Sequence, residues 1–240
     1  MTTQTLSTQD YERAFETERA RSYPMVDALE ARLGYALDRE RLETAARVLA
    51  CPVKAHAPNW QHGRVLYAHV RAYLAAHPTP SVNALDIGTA KGFSALCLLW
   101  ALQDAPECHE WVVTSLDVRD PNERLRRNTI AEVDGYKTLR EILAPWPEAD
   151  AITFLKMAGQ KWLTSHPERL HVAFVDGKHS YDAVSWEVSL LASRQQSGDL
   201  AIFDDVQIPD VARAVRESRS YAFTTLEILP ERAYAIGVRL

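Results

Sequence analysis

The sequence predicts an open α/β fold: a mostly parallel sheet covered by helices on both faces, closed by an antiparallel hairpin and preceded by helices. Three observations carry this. From Val82 onward, short apolar runs alternate with segments of helical period, the pattern of a parallel sheet with crossover helices. The first run, Ala84-Leu85-Asp86-Ile87, passes straight into a glycine-punctuated turn, Gly88-Thr89-Ala90-Lys91-Gly92-Phe93-Ser94. The last two runs, Ala222–Leu229 and Ala233–Leu240, are separated only by Pro230-Glu231-Arg232 and therefore pair as a hairpin.

Residues 1–80 are helical in pattern and hold no convincing strand. Met25, Leu29 and Leu33 recur at helical spacing, and Gly34 is a stop signal. A second helix runs from Asp38 through Leu42, Ala46 and Leu49 and ends before Pro52. Cys51–Pro58 reads as a loop, and a third helix spans Gly63–Ala76, closed by Pro78 and Pro80. The parallel strands are expected at Val82–Ile87, Trp111–Val118, Ala151–Lys156, Leu170–Asp176 and Asp199–Asp204. Helices are expected at Gly92–Leu102, Asn122–Val133, Gly159–Ser165, Ser180–Ser193 and Pro209–Arg219. Pro145-Trp146-Pro147 offers a rigid, exposed aromatic that either borders a pocket or belongs to a surface loop. The chain divides into a helical extension, residues 1–59, and a main domain, residues 60–240. Apolar stripes on the first helices suit a lid, an acceptor pocket or a contact between copies of the chain.

With 240 residues the chain can build one α/β core plus this appendage. Its 27 basic and 32 acidic residues leave a net charge of −5 with no basic block, which argues against a nucleic-acid partner. Cys51, Cys97 and Cys108 form no paired motif and read as thiols of a reducing compartment. Met1–Arg21 lacks the apolar run of a secretion signal, and no stretch approaches a membrane span. A cytoplasmic protein is expected.

The Gly-x-x-x-Gly spacing of the turn is not the Gly-x-Gly-x-x-Gly of dinucleotide sites, and no Lys-Ser/Thr pair follows. A nucleotide-like ligand without a pyrophosphate fits better. Asp117 ends the second strand, where a carboxylate can accept from both hydroxyls of a ribose; alternatively it caps the following turn. Asp176 ends the fourth strand, and Asp204 and Asp205 end the fifth, so three carboxylates meet at one rim. Such crowding raises carboxylate pKa values unless a cation intervenes. All-oxygen donors suit Mg²⁺ first, with Mn²⁺ or Ca²⁺ as options. Neighbours on a strand face opposite ways, so Asp204 and Asp205 can share an ion only where the strand has ended; otherwise Asp205 is a turn residue. His179, three residues past Asp176, is a candidate base for a substrate hydroxyl, and Lys178 a weaker one.

The run Asp176-Gly177-Lys178-His179-Ser180-Tyr181, with Phe203-Asp204-Asp205 and the glycine turn, resembles the class I S-adenosylmethionine-dependent methyltransferases. Within them the chain is similar to the metal-dependent O-methyltransferases, related to catechol O-methyltransferase and nearer the macrocin O-methyltransferase-like group. The resemblance covers about Trp60 to Leu240. It implies a Rossmann-like methyltransferase fold with a seven-stranded sheet. Asp86, Gly88, Thr89, Gly92, Phe93 and Ser94 would surround the methionine part of S-adenosylmethionine, with Asp176 also close to it. Asp117 would hold the ribose and Gln160 the adenine. Asp176, Asp204 and Asp205 would bind the metal, with Asp205 replacing an asparagine of the catechol enzyme. His179 falls where that enzyme has a lysine base. Trp60, Gln61 and His62 either line the pocket or pack. The implied activity is methylation of a hydroxyl on a small molecule: a sugar, a natural product or a catechol-like diol. A metal-independent N- or carboxyl-methyltransferase, or a non-methylating relative of the fold, are the alternatives.

Overall fold

The computed structural model describes residues 6–55 and 57–240. Seven strands form one sheet: β1 (Ser81–Ile87), β2 (Glu110–Asp117), β3 (Ile152–Lys156), β4 (Val172–Val175), β5 (Leu200–Phe203), β6 (Tyr221–Leu229) and β7 (Arg232–Arg239). Their order is β3-β2-β1-β4-β5-β7-β6. All pairs from β3 to β5 are parallel, and β7 runs antiparallel to both β5 and β6. The order reverses between β1 and β4, and at such a switch point the crevice beyond the strand tips is open to a ligand.

The helices are α1 (Thr8–Arg19), α2 (Pro24–Leu33), α3 (Arg39–Leu49), α4 (Gln61–Ala76), α5 (Phe93–Gln103), α6 (Leu139–Leu143), α7 (Gly159–Ser165), α8 (Tyr181–Ala192) and α9 (Pro209–Glu217). One apolar core joins the first five helices to one face of the sheet, through residues such as Phe15, Leu42, Leu66, Trp100 and Phe174. The other face is covered by α7, α8 and α9, with Leu163, Val188, Leu191 and Val211 against Leu85, Ala173 and Phe203. Helix α5 is apolar all round because it is buried all round, from Phe93 to Leu102. Buried Arg64 of α4 donates to Glu30 of α2 at 2.8 Å and to Gln61 at 3.0 Å, fixing α2 to α4.

Two expectations differ from the structure. The helix expected at Asn122–Val133 is a folded loop with only a 3-10 turn at Ile130–Glu132. Buried Arg127 organises it: its guanidinium donates to the carbonyls of Asp120, Glu123 and Lys137, and its own N–H is taken by the Glu132 carboxylate. Backbone carbonyls bound to a central guanidinium replace the bonds a helix would have made. Trp146, expected to be exposed, is only 7% exposed and packs in the core with Ala149 and Ile152. In keeping with the helical pattern of residues 1–80, Thr8–Arg19 form α1, whose Phe15 stacks on Trp60 with ring centroids 5.3 Å apart.

Candidate functional site

The turn after β1 is shaped by its neighbours in the sheet. Gly88, Ala90 and Gly92 all have positive φ, at 111°, 47° and 84°. Gly88 is obligatory on a second ground: a Cβ there would lie 2.1 Å from the carbonyl oxygen of Asp176. That close approach locks the tip of β4 to the turn, and the Asp176 N–H donates to the Ile87 carbonyl at 2.8 Å. The Gly88 and Thr89 N–H groups donate to the Leu116 carbonyl of β2 at 2.8 and 3.1 Å. Below the turn, a buried chain runs from Thr89 Oγ1 through the Ser115 hydroxyl to Asp86 Oδ2. Asp86 is fully buried and its Oδ1 has no partner; burial pushes its pKa up to about 6.

Asp117 sits at the tip of β2, partly exposed. Its Oδ2 accepts the Ala90 N–H and its Oδ1 the Arg119 N–H, both at 2.9 Å. It thereby ties the β2 tip to the glycine turn and closes a local turn of its own. Gln160 lies at the start of α7, where its amide donates to the Ala183 carbonyl of α8 at 3.3 Å.

A cleft of about 340 Å³ opens beyond the strand tips. One wall is the glycine turn with Phe93 and Ser94; another is the end of α3, Leu49, with Ala50 and Asn59 of the connection to α4. His62 also lines it, edge-on to Phe93 at 5.0 Å and stacked on Phe174, and burial drives its pKa down to about 3. Trp60 and Gln61 are buried, Trp60 against Phe15 and Gln61 against Arg64.

The acids converge at the opposite rim. β5 ends at Phe203, and Asp205 takes a left-handed conformation with φ of 57°. Its N–H donates to Asp204 Oδ1 at 2.7 Å, so the two carboxylates no longer alternate across a strand. Ligand atoms of Asp176, His179 and Asp205 lie within 4.8 Å of one another. His179 Nε2 is 3.3 Å from Asp176 Oδ1 and 3.4 Å from Asp205 Oδ2. Asp204 shares the cleft but lies deeper, only 4% exposed. Burial, then the neighbouring carboxylates, push Asp204 well above the usual carboxylate range, and burial raises Asp176. The Asp176 carboxylate, first of several acids, raises His179.

Arg232 completes the rim. The antiparallel pairing of β7 with β5 brings its guanidinium 2.6 Å from Asp205 Oδ1 and 3.6 Å from Asp204 Oδ1. Gln207 donates to the same Asp205 oxygen at 2.7 Å, leaving Oδ2 turned toward His179. Arg232 was legible only as a hairpin turn residue, because nothing local in sequence marks it as a neighbour of the β5 tip. With all three carboxylates ionised and His179 neutral, one guanidinium leaves a formal charge of −2. That residual charge and the all-oxygen donors fit a hard divalent cation.

Comparison with known proteins agrees with this architecture. Among solved structures, TomG from Streptomyces achromogenes, an O-methyltransferase of tomaymycin synthesis in complex with SAM, aligns with a TM-score of 0.55 at 15% identity, over 85% of this chain and 91% of TomG. The O-methyltransferase from Bacillus cereus in complex with SAH aligns at 0.54 and 14%, over 95% and 100%. TrmN from Thermus thermophilus aligns at 0.50 and 13%, over 78% of this chain, which spans only 55% of TrmN. At such identities the likeness is one of fold. No curated protein matches the sequence. The family model described as a methyltransferase domain matches residues 85–206, from β1 to just past Asp205 and thus just over half of the 240 residues. The chain belongs to this methyltransferase-domain family.

Proposed function

We propose that the protein transfers a methyl group from S-adenosylmethionine to a hydroxyl of a small molecule, assisted by a divalent cation held by Asp176, Asp204 and Asp205. The observation that carries this reading is the meeting of Asp176, His179 and Asp205 within 4.8 Å in the cleft that the glycine turn also lines. When bound, S-adenosylmethionine supplies a methyl already activated by its sulfonium, open to in-line displacement by an oxygen. The cation, Mg²⁺ first with Mn²⁺ or Ca²⁺ as options, supplies positive charge for an acceptor oxygen losing its proton.

The chain's own residues do the rest. Asp86, Gly88, Thr89, Gly92, Phe93 and Ser94 would receive the methionine part. The unpartnered, buried Oδ1 of Asp86 offers an acceptor on that side of the turn. Asp117 would take the ribose with lone pairs left over from its two backbone bonds. Gln160 would meet the adenine once its amide leaves the Ala183 carbonyl. In its neutral form His179 would take the hydroxyl proton at Nε2, and the flanking carboxylates would stabilise the imidazolium formed. Arg232 and Gln207 would keep Asp205 Oδ2 turned toward that nitrogen. Alignment and charge placement supply most of the acceleration.

The net charge of −5 supports a small-molecule acceptor over nucleic acid. Among the described residues no helix is long and apolar enough to cross a membrane, which accords with a proposed cytoplasmic location. One observation favours a second reading, metal-independent methylation of nitrogen or carboxylate: Arg232 already supplies positive charge to the acids. Transfer of labelled methyl to a panel of diols and glycosides, with and without chelator, separates the two. Loss with chelator and return with Mg²⁺ supports the first; transfer indifferent to chelator supports the second; absence of donor binding defeats both.

A further inference from the structure

Lys91, inside the glycine turn, is only 8% exposed and lines the cleft. Among the described residues no carboxylate forms an ion pair with its ammonium and no hydrogen bond reaches it. The Cys51 thiol and the Glu132 carboxylate act on it from a distance, and both oxygens of that carboxylate are engaged by the Arg127 N–H, at 3.0 and 2.9 Å. Lys54 adds a second cation on the same cleft. The same cleft is lined by the apolar residues Leu49, Ala50 and Pro52. Burial, then repulsion from Lys54, lowers the Lys91 pKa to about 8, so it still carries its proton at neutral pH. A buried ammonium without a counter-charge is unfavourable unless something in the cleft supplies one.

We propose that Lys91, with Lys54 beside it, is a carboxylate-binding subsite, and that the acceptor of this enzyme carries a carboxylate as well as the hydroxyl that is methylated. The inference rests on the methyl-transfer reading and narrows its acceptor. The cleft has an acidic rim at Asp176, Asp204 and Asp205 and a basic one at Lys91 and Lys54. A hydroxy acid matches both, its hydroxyl at His179 and its anion at the lysines. Leu49, Ala50, Pro52 and Lys54 of the same cleft lie outside the 85–206 span of the family match, while Lys91 lies within it, so the acceptor assignment rests on the separation of the acidic and basic rims.

The test uses protocatechuate, a catechol acid, against its methyl ester, with the full chain, S-adenosylhomocysteine and Mg²⁺, read by titration calorimetry. A charge-assisted pair predicts acid binding about tenfold or more tighter than ester binding. Lys91→Met should erase that preference and Lys91→Arg retain it, with circular dichroism verifying that both variants fold. Equal binding of acid and ester, or no binding of either, overturns the proposal. A donor source is checked separately: if Lys91→Met weakens S-adenosylhomocysteine but not its decarboxylated analogue, the lysine serves the donor and the acceptor assignment falls. If wild type binds no S-adenosylhomocysteine, the methyl-transfer reading fails, while the acid-against-ester comparison without donor still reads the subsite.

Discussion

Glu187 sits on the apolar stripe of α8, between Ala183, Val184, Val188 and Leu191, and is 4% exposed. Its Oε1 lies 2.9 Å from where a Cβ on Gly159 would be, and its Oε2 has no partner. Burial raises its pKa from 4.5 to about 7, with nearby His179 opposing weakly. The folded pKa is above the unfolded one, so the folded state holds the extra proton between those values. Stability contributed by that proton is complete below pH 4.5 and is lost as pH rises through about 7. The shift corresponds to about 3 kcal/mol at alkaline pH and under about 1 kcal/mol near pH 5. Glu187→Gln removes the ionisation and keeps the shape. It should raise Tm by roughly 6–12 °C near pH 8.5, less whatever an unpaired amide costs, and change it little near pH 5. Thermal unfolding followed by circular dichroism at both pH values measures this. A variant no more stable than wild type at the higher pH would show that the buried carboxylate is compensated and refute the reasoning.

Gly88→Ala places a Cβ 2.1 Å from the Asp176 carbonyl at a φ of 111°, and should cost at least about 3 kcal/mol in urea unfolding; a near-neutral result would mean that the β4 tip is not locked to the turn. His179→Ala should lower kcat by about 10²- to 10⁴-fold while donor affinity by calorimetry holds; undiminished turnover would remove it as the base. Arg232→Met leaves Asp204 and Asp205 facing each other without their guanidinium, and should destabilise by about 3 kcal/mol without metal. Millimolar Mg²⁺ should restore much of that loss in Tm, since a cation would replace the missing charge; no Mg²⁺ response would speak against a metal at this rim.

Much of the fold was readable because its signals are local. Each parallel strand is an apolar run bounded by turn residues, and the Pro230-Glu231-Arg232 turn announces the final hairpin, seen as β6 and β7. The condition set for Asp204 and Asp205, that the strand end before both can face one site, is met by a strand end at Phe203 and a left-handed Asp205. What escaped was set by distant partners. The 122–133 segment has helical composition, yet Arg127 draws carbonyls from Asp120 to Lys137 around itself. Trp146 between two prolines reads as exposed, and only its place in the large apolar core, which also holds Ala149 and Ile152, buries it. Arg232 and Lys91 reach the cleft by strand pairing and by the covering α3–α4 connection, neither of which leaves a spacing pattern. Glu187 did leave one: a carboxylate amid an apolar helical stripe.

The most direct examination of the central claim is anomalous diffraction from crystals grown with S-adenosylhomocysteine and Mn²⁺. The account predicts a manganese peak bounded by Asp176, Asp204 and Asp205, with the homocysteine sulfur nearby in the same cleft. A cleft holding the nucleoside, with the Arg232 guanidinium against both aspartates and no anomalous peak beside them, would contradict it.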